Sequence, residues 1–251
     1  MTLLVTILAA VALIDGAVAA TPEPSCSVPQ SLLSSDYDLA HVTNEAKTRQ
    51  HLDISVIGTG SSSLPGSDGV HFAYPALLEQ TLQKDLPGIT VKVTAHVMSR
   101  ATTAEMAKGL DKILSDDKPS LVIWQAGTAD AMNSVDQEEF HGALDDGVTA
   151  IENAGADVIL MNMQYSPRTE TMMDVTNYAD IMRFVAQQHS ALLFDRLGIM
   201  RNWNDSGTFD LYTATKDYAM ARRVHECIGR ALASQIIGAS HLDAARMQTT
   251  R

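Results

Sequence analysis

The segment Gly58-Thr59-Gly60-Ser61-Ser62-Ser63 sets three consecutive hydroxyls on a glycine-rich turn directly after the β-branched run 54–58. A serine in such a turn is lifted off the sheet edge, and the helix that follows directs backbone N–H groups and positive dipole at it. The chemistry this suits is nucleophilic attack. A plain polar loop or a phosphate cradle is the alternative. Gly58-x-Gly60 falls short of a dinucleotide fingerprint, because the third glycine and the downstream acidic ribose partner are missing. A serine nucleophile needs a base. His71 follows the turn, His96 lies late in the second strand, and His225 lies in the last helix, each also open to a structural or surface role. Neither His-x-x-x-His nor Cys-x-x-Cys occurs, so no metal-ligand spacing is present and no cofactor is implied.

The elements that must position these groups alternate. Strands are expected at 54–58, 89–97, 120–125, 156–163 and 191–194, each short and apolar. Helices are expected at 72–86, from Thr102 to about Leu114, at 137–154, 175–188 and 218–237. Glu105 follows Thr102 by three, the capping-box spacing. Five buried strands joined by helices imply right-handed crossovers and a parallel sheet covered on both faces. Ligands in such sheets bind outside the carboxyl ends of the strands. The loops 58–66, 98–102 and 127–132 project there.

The chain has 251 residues, 45% apolar and 19% charged, which suits one domain of about 200–230 residues. Its 18 Lys and Arg stand against 30 Asp and Glu, for a net charge of −12. That balance argues against a nucleic-acid partner and against docking on an anionic membrane, while leaving room for a local basic pocket. Aromatics at 5% argue against base stacking.

Residues 2–14 are almost wholly apolar, and Ala17-Val18-Ala19-Ala20 precedes Thr21-Pro22-Glu23-Pro24. About 13 apolar residues are too few to span a bilayer, and the pattern reads as a signal peptide over 1–20. The protein is then exported, periplasmic or secreted. The segment departs from the pattern in lacking Lys or Arg before the apolar stretch and in carrying Asp15; an anchor or a buried helix is the alternative. No later stretch approaches 18 apolar residues, so the mature chain is not membrane-spanning. In an oxidising compartment Cys26 and Cys227 are expected to pair, the alternative being two buried thiols. The organisation expected is a signal peptide 1–20, an N-terminal arm 21–52, a catalytic-type domain 53–237 and a polar tail 238–251.

Several separate blocks resemble one family. Cys26-Ser27-Val28-Pro29, Gly60-Ser61-Ser62-Ser63-x-x-Gly66 and Tyr74-Pro75-x-Leu77 look like the opening of an exported group of SGNH/GDSL hydrolases. Leu121-Val122-Ile123-Trp124-Gln125-x-Gly127-Thr128-x-Asp130 resembles their third block. Gly155 to Met161 with Gln164-Tyr165-Ser166-Pro167-Arg168 is similar to their fourth strand, and Thr213-Ala214-Thr215 with Cys227-Ile228-Gly229-x-x-Leu232 to their last block. The resemblance spans about Cys26 to Ala233. It implies a flavodoxin-like three-layer α/β/α sandwich with a five-stranded parallel sheet, and metal-free hydrolysis of lipid or carbohydrate acyl esters.

The family mechanism uses a Ser-His-Asp set and an oxyanion hole built from the serine N–H, a second-block glycine N–H and a third-block asparagine. Carried over by position, Ser62 stands at the nucleophile, with Ser61 replacing the preceding aspartate. Arg100 stands at the oxyanion glycine, Ala129 at the asparagine, Lys216 at the aspartate and Ala219 at the histidine. Asp130 is kept, in a mainly structural role. His225 falls where the family has an aromatic residue; it and Lys216 are the candidate substitute bases. Two readings follow. In one, the catalytic set is eroded and the crevice, made locally positive by Arg100 and Lys216, binds an acylated or anionic small-molecule, glycan or lipid ligand. In the other, Ser62 works as an ester hydrolase with an unorthodox base.

Overall fold

The short apolar runs condense into strands of one parallel sheet, and the computed structural model describes residues 26–34, 36–213 and 217–242. In chain order the elements are α1 (Ala40–Arg49), β1 (His51–Gly58), α2 (Tyr74–Asp85), β2 (Thr90–Val97), α3 (Thr103–Ala107), α4 (Leu110–Asp117), β3 (Leu121–Gln125), α5 (Thr128–Asn133), α6 (Gln137–Asn153), β4 (Asp157–Met161), α7 (Pro167–Met172), α8 (Val175–Gln188), β5 (Leu192–Phe194), α9 (Arg196–Asp205) and α10 (Ala219–Ala239). The strand order is β2-β1-β3-β4-β5, all parallel. This is the flavodoxin-like order, whose switch point lies between β1 and β3.

The central strand β3 (Leu-Val-Ile-Trp-Gln) is buried along its whole length, as a strand covered on both faces must be. Register pairs Val56 with Ile123, and Ile123 with Ile159. Direction of travel then assigns the helices. Right-handed crossovers put the β1-to-β2 helix on one face and the β2-to-β3, β3-to-β4 and β4-to-β5 helices on the other. Accordingly α2 packs on β2 and against α10, while α6 packs against α3, α4 and α8. Trp124 fills the space under α6, where a Cβ at Gly147 would lie 2.3 Å from its ring; glycine there permits the close helix–sheet approach.

The disulfide Cys26–Cys227 is present, with a sequence separation of 201. It fastens the start of the described chain to α10, and Trp203 Nε1 adds a bond to Ser27 O at 2.9 Å. Three expectations need adjustment. The arm expected over 21–52 contains α1, whose Val42 and Ala46 are in the core, and β1 begins at His51. The helix expected from Thr102 to Leu114 is two helices, with the break at Lys108 and Gly109. The tail expected to be loose from 238 continues α10 to Ala239 and packs as far as Leu242, with Thr43 Oγ1 donating to Ser240 O at 2.9 Å. The signal segment 1–20 and residues 243–251 lie outside the described residues.

Cys26→Ser removes a constraint worth roughly 4–5 kcal/mol on the loop-entropy view. Calorimetry under non-reducing conditions should show the melting temperature falling by about 10 °C, and reductant should do the same to the wild type. An unchanged melting temperature would refute the contribution.

Candidate functional site

The β1/β3 switch point locates the crevice, and the carboxyl ends of these strands furnish its floor. β1 ends at Gly58, and β3 ends one pairing further along than Trp124, at Gln125. Gln125 is fully buried, so its amide oxygen must find donors. The turn after β1 supplies them. Ser62 Oγ donates to Gln125 Oε1 at 2.8 Å and Ser61 Oγ at 3.1 Å, with Thr59 N at 3.3 Å. Gly58 makes this fold-under possible, since a Cβ there would lie 2.2 Å from Ser62 Oγ.

Ser62 is therefore 1% exposed. Its remaining neighbour is the Tyr74 hydroxyl at 2.9 Å. With the serine proton committed to Gln125, the tyrosine O–H is the donor of that pair. Burial raises the Tyr74 pKa, against the opposing pulls of Ser62 and Arg196, which keeps the phenol protonated as a donor. Neither a histidine nor a carboxylate is among the hydrogen-bond partners of Ser62 Oγ in the described residues. The turn residue that is exposed is Gly60, and a Cβ built on it meets only Ser99 Oγ, at 3.8 Å. The position facing the second-block loop thus carries no side chain.

The candidate bases are placed as follows. His225 is 4% exposed and its Nδ1 accepts the Tyr74 backbone N–H at 3.0 Å, capping the start of α2. Burial, then the nearby Arg196 charge, pushes its pKa down to about 3, so the ring is neutral at pH 7. His96 pairs with Asp117 at 2.6 Å, and Asp117 also accepts Ser55 Oγ at 2.7 Å. That order leaves the imidazole off the hydroxyl, so no Ser–His relay forms. His71 is exposed in the turn Gly69–Phe72. Lys216 lies outside the described residues.

Arg100 is exposed with φ +64°, in the left-handed region that favours glycine. The Thr102–Glu105 capping box forms. Asp130 is buried and accepts both Thr103 N and Thr103 Oγ1 at 2.9 Å, tying the third-block loop to α3; burial raises its pKa against those bonds. Ala129 is 5% exposed beside it, and its side chain offers no donor. Ala219 opens α10, exposed, its N–H donating to Asp217 Oδ1 at 3.2 Å. The structure thus gathers Ser61, Ser62, Gln125, Tyr74 and His225 and leaves Arg100 and Ala219 at the surface.

Sequence reasoning assigned Gln125 and Tyr74 no role in the site and missed Arg196 altogether. Arg196 is the first residue of α9, 1% exposed, and its Nη1 donates to Ser61 O and Ser61 Oγ at 3.3 and 3.4 Å. Its Nη2 donates to Gln164 Oε1 at 3.3 Å. Its signal was an arginine at the carboxyl end of a buried strand, immediately after Phe194-Asp195.

A family model described as the non-GDSL lipase-like family matches residues 25–242. No curated protein matches. Among solved structures, TesA superposes with a TM-score of 0.58 at 17% identity, over 74% of this chain and 99% of that one. LAE5, described as an alpha/beta hydrolase enzyme from the metagenome of Lake Arreo, Spain, gives 0.56 at 19% identity, over 76% and 95%. A catalytic mutant of Axe2, an acetylxylan esterase from Geobacillus stearothermophilus, gives 0.59 at 19%, over 74% and 94%. At these identities the likeness establishes the fold.

The His225 environment fixes a pH dependence. Its folded value of about 3 lies below the ordinary 6.5, so the unfolded chain binds the proton first as pH falls. The contribution is full above pH 6.5 and declines from there toward pH 3. Urea unfolding at pH 7 and 4.5 should show the wild type losing about 2–3 kcal/mol more than His225→Gln. Equal losses would contradict the neutral buried ring.

Proposed function

The chain belongs to the non-GDSL lipase-like family, and from that premise we propose that it is an exported SGNH-type protein whose crevice binds an acylated or anionic ligand without turning it over. The observation that carries this reading is the Ser62 hydroxyl, enclosed by Gln125 and Tyr74 with no base among its partners in the described residues. A serine without a base is a weak nucleophile at neutral pH. Ala129 and Ala219 add no oxyanion donor and no imidazole; a lost oxyanion donor alone removes roughly 3–4 kcal/mol of transition-state stabilisation. His225, with its pKa near 3 and its Nδ1 committed to Tyr74, is poorly matched to proton abstraction at pH 7.

Export is supported by the apolar segment 2–14 with its small-residue site and by the disulfide, which suits an oxidising compartment. None of the described helices is long and apolar enough to cross a membrane. Axe2 is an acetylxylan esterase, which makes an acylated carbohydrate a reasonable ligand to try first.

The test is hydrolysis of p-nitrophenyl acetate by the purified protein beside Ser62→Ala. The expected result is the same residual rate for both. A rate that disappears in Ser62→Ala would establish Ser62 as a working nucleophile and overturn the binding-only reading.

A further inference from the structure

The environment of Arg196 is incomplete in a way that specifies a ligand. A guanidinium carries five N–H donors and cannot shed its charge at neutral pH. Here it is 1% exposed, and among the described residues it forms no ion pair with a carboxylate. Its three contacts go to neutral oxygens of Ser61 and Gln164 at 3.3–3.4 Å. Ordinary N–H···O bonds lie near 2.9–3.0 Å, and those from a guanidinium to a carboxylate near 2.7–2.9 Å. Among the described residues Arg196 Nε has no hydrogen-bond partner, and neither has Gln125 Nε2 on the other side of Ser61. Burial drags the arginine pKa down to about 10. A buried cation held this loosely costs several kcal/mol, and Tyr74, 5.7 Å from its ring centroid to the guanidinium carbon, offsets little of that.

We propose that Arg196 is the recognition group for a small ligand bearing one carboxylate, which enters at Gly60 between the serine turn and Gln164. This rests on the reading of the crevice as a binding site. Gly60 is exposed, and the two residues that accept from Arg196, Ser61 and Gln164, are half-buried. The Gln164 amide, held at 3.3 Å, and the Ser61 hydroxyl, at 3.4 Å from Nη1, turn aside for the carboxylate, while the main-chain oxygen of Ser61 keeps its place on Nη1. The two carboxylate oxygens then meet the flat edge of the guanidinium in a bidentate pair. One buried positive charge neutralises one negative charge. A dianionic phosphate would leave a second charge buried and unpaired in a protein of net charge −12.

The experiment is thermal unfolding at pH 7 and fixed ionic strength against acetate, galacturonate and phosphate, with chloride as the balancing ion. The expected result for the wild type is a saturable rise in melting temperature with a carboxylate, larger than with phosphate. In Arg196→Met the rise should disappear, while the melting temperature without ligand stays level or increases, because replacing an unpaired buried charge by an apolar group of similar volume removes its desolvation cost. Gln164→Ala keeps the charge and should still respond to carboxylate, with roughly tenfold altered affinity at most. Arg196→Lys, a point charge lacking the fork, should bind roughly tenfold more weakly or worse, and it serves if Arg196→Met fails to fold. No saturable carboxylate response in the wild type, a stronger response to phosphate, or an undiminished response in the arginine variants would overturn the proposal. Ester hydrolysis by the wild type would overturn the binding-only reading and leave this result standing, so the two fail separately.

Discussion

The amide oxygen of Gln125 sits at the buried end of the central strand, where an unmade hydrogen bond would cost about 1–3 kcal/mol. Satisfying it draws the turn after β1 inward. Ser62 folds beneath Gly58, Ser61 follows, and the Tyr74 hydroxyl closes the set from the start of α2. His225 then holds the α2 N-terminus through the Tyr74 N–H, which links the turn to α10 and, through Cys227, to Cys26. The hydroxyls that chemistry would want at the crevice mouth are thereby spent on joining β1, β3, α2 and α10.

The same arrangement explains why the crevice has the residues it has. At the switch point the loops after β1, β2 and β3 meet. A Cβ at Gly60 would meet Ser99 Oγ in ordinary contact at 3.8 Å, Arg100 takes a left-handed backbone, and Ala129 ends in a methyl. Neither Gly60 nor Ala129 carries a polar side chain. Asp130, whose work is to fasten α3 to the third-block loop, is retained with both oxygens bonded to Thr103. Beside the serine turn stands the buried Arg196.

Much of this was legible in the residues. The strands at 120–125 and 156–163 were plain because a central parallel strand is apolar throughout, and the capping box at Thr102 announced α3. The pairing of Cys26 with Cys227 followed from export and an even count. What escaped depended on contacts distant in sequence. α1 carries few apolar residues, its burial coming from Leu39, Val42 and Ala46 on one side. The direction of the Ser62 hydroxyl is set by Gln125, 63 residues away, and a Ser-Ser-Ser run does not say which serine turns inward. Arg196 was not singled out from the sequence, because only the fold brings Ser61 and Gln164 to it.

The central claim is that Ser62 is a structural hydroxyl. The direct measurement is incubation of the folded protein with a fluorophosphonate, an electrophile that modifies activated serines, followed by intact mass. The account predicts no mass gain beyond that of a Ser62→Ala control. One equivalent of adduct mapped to Ser62 would contradict it.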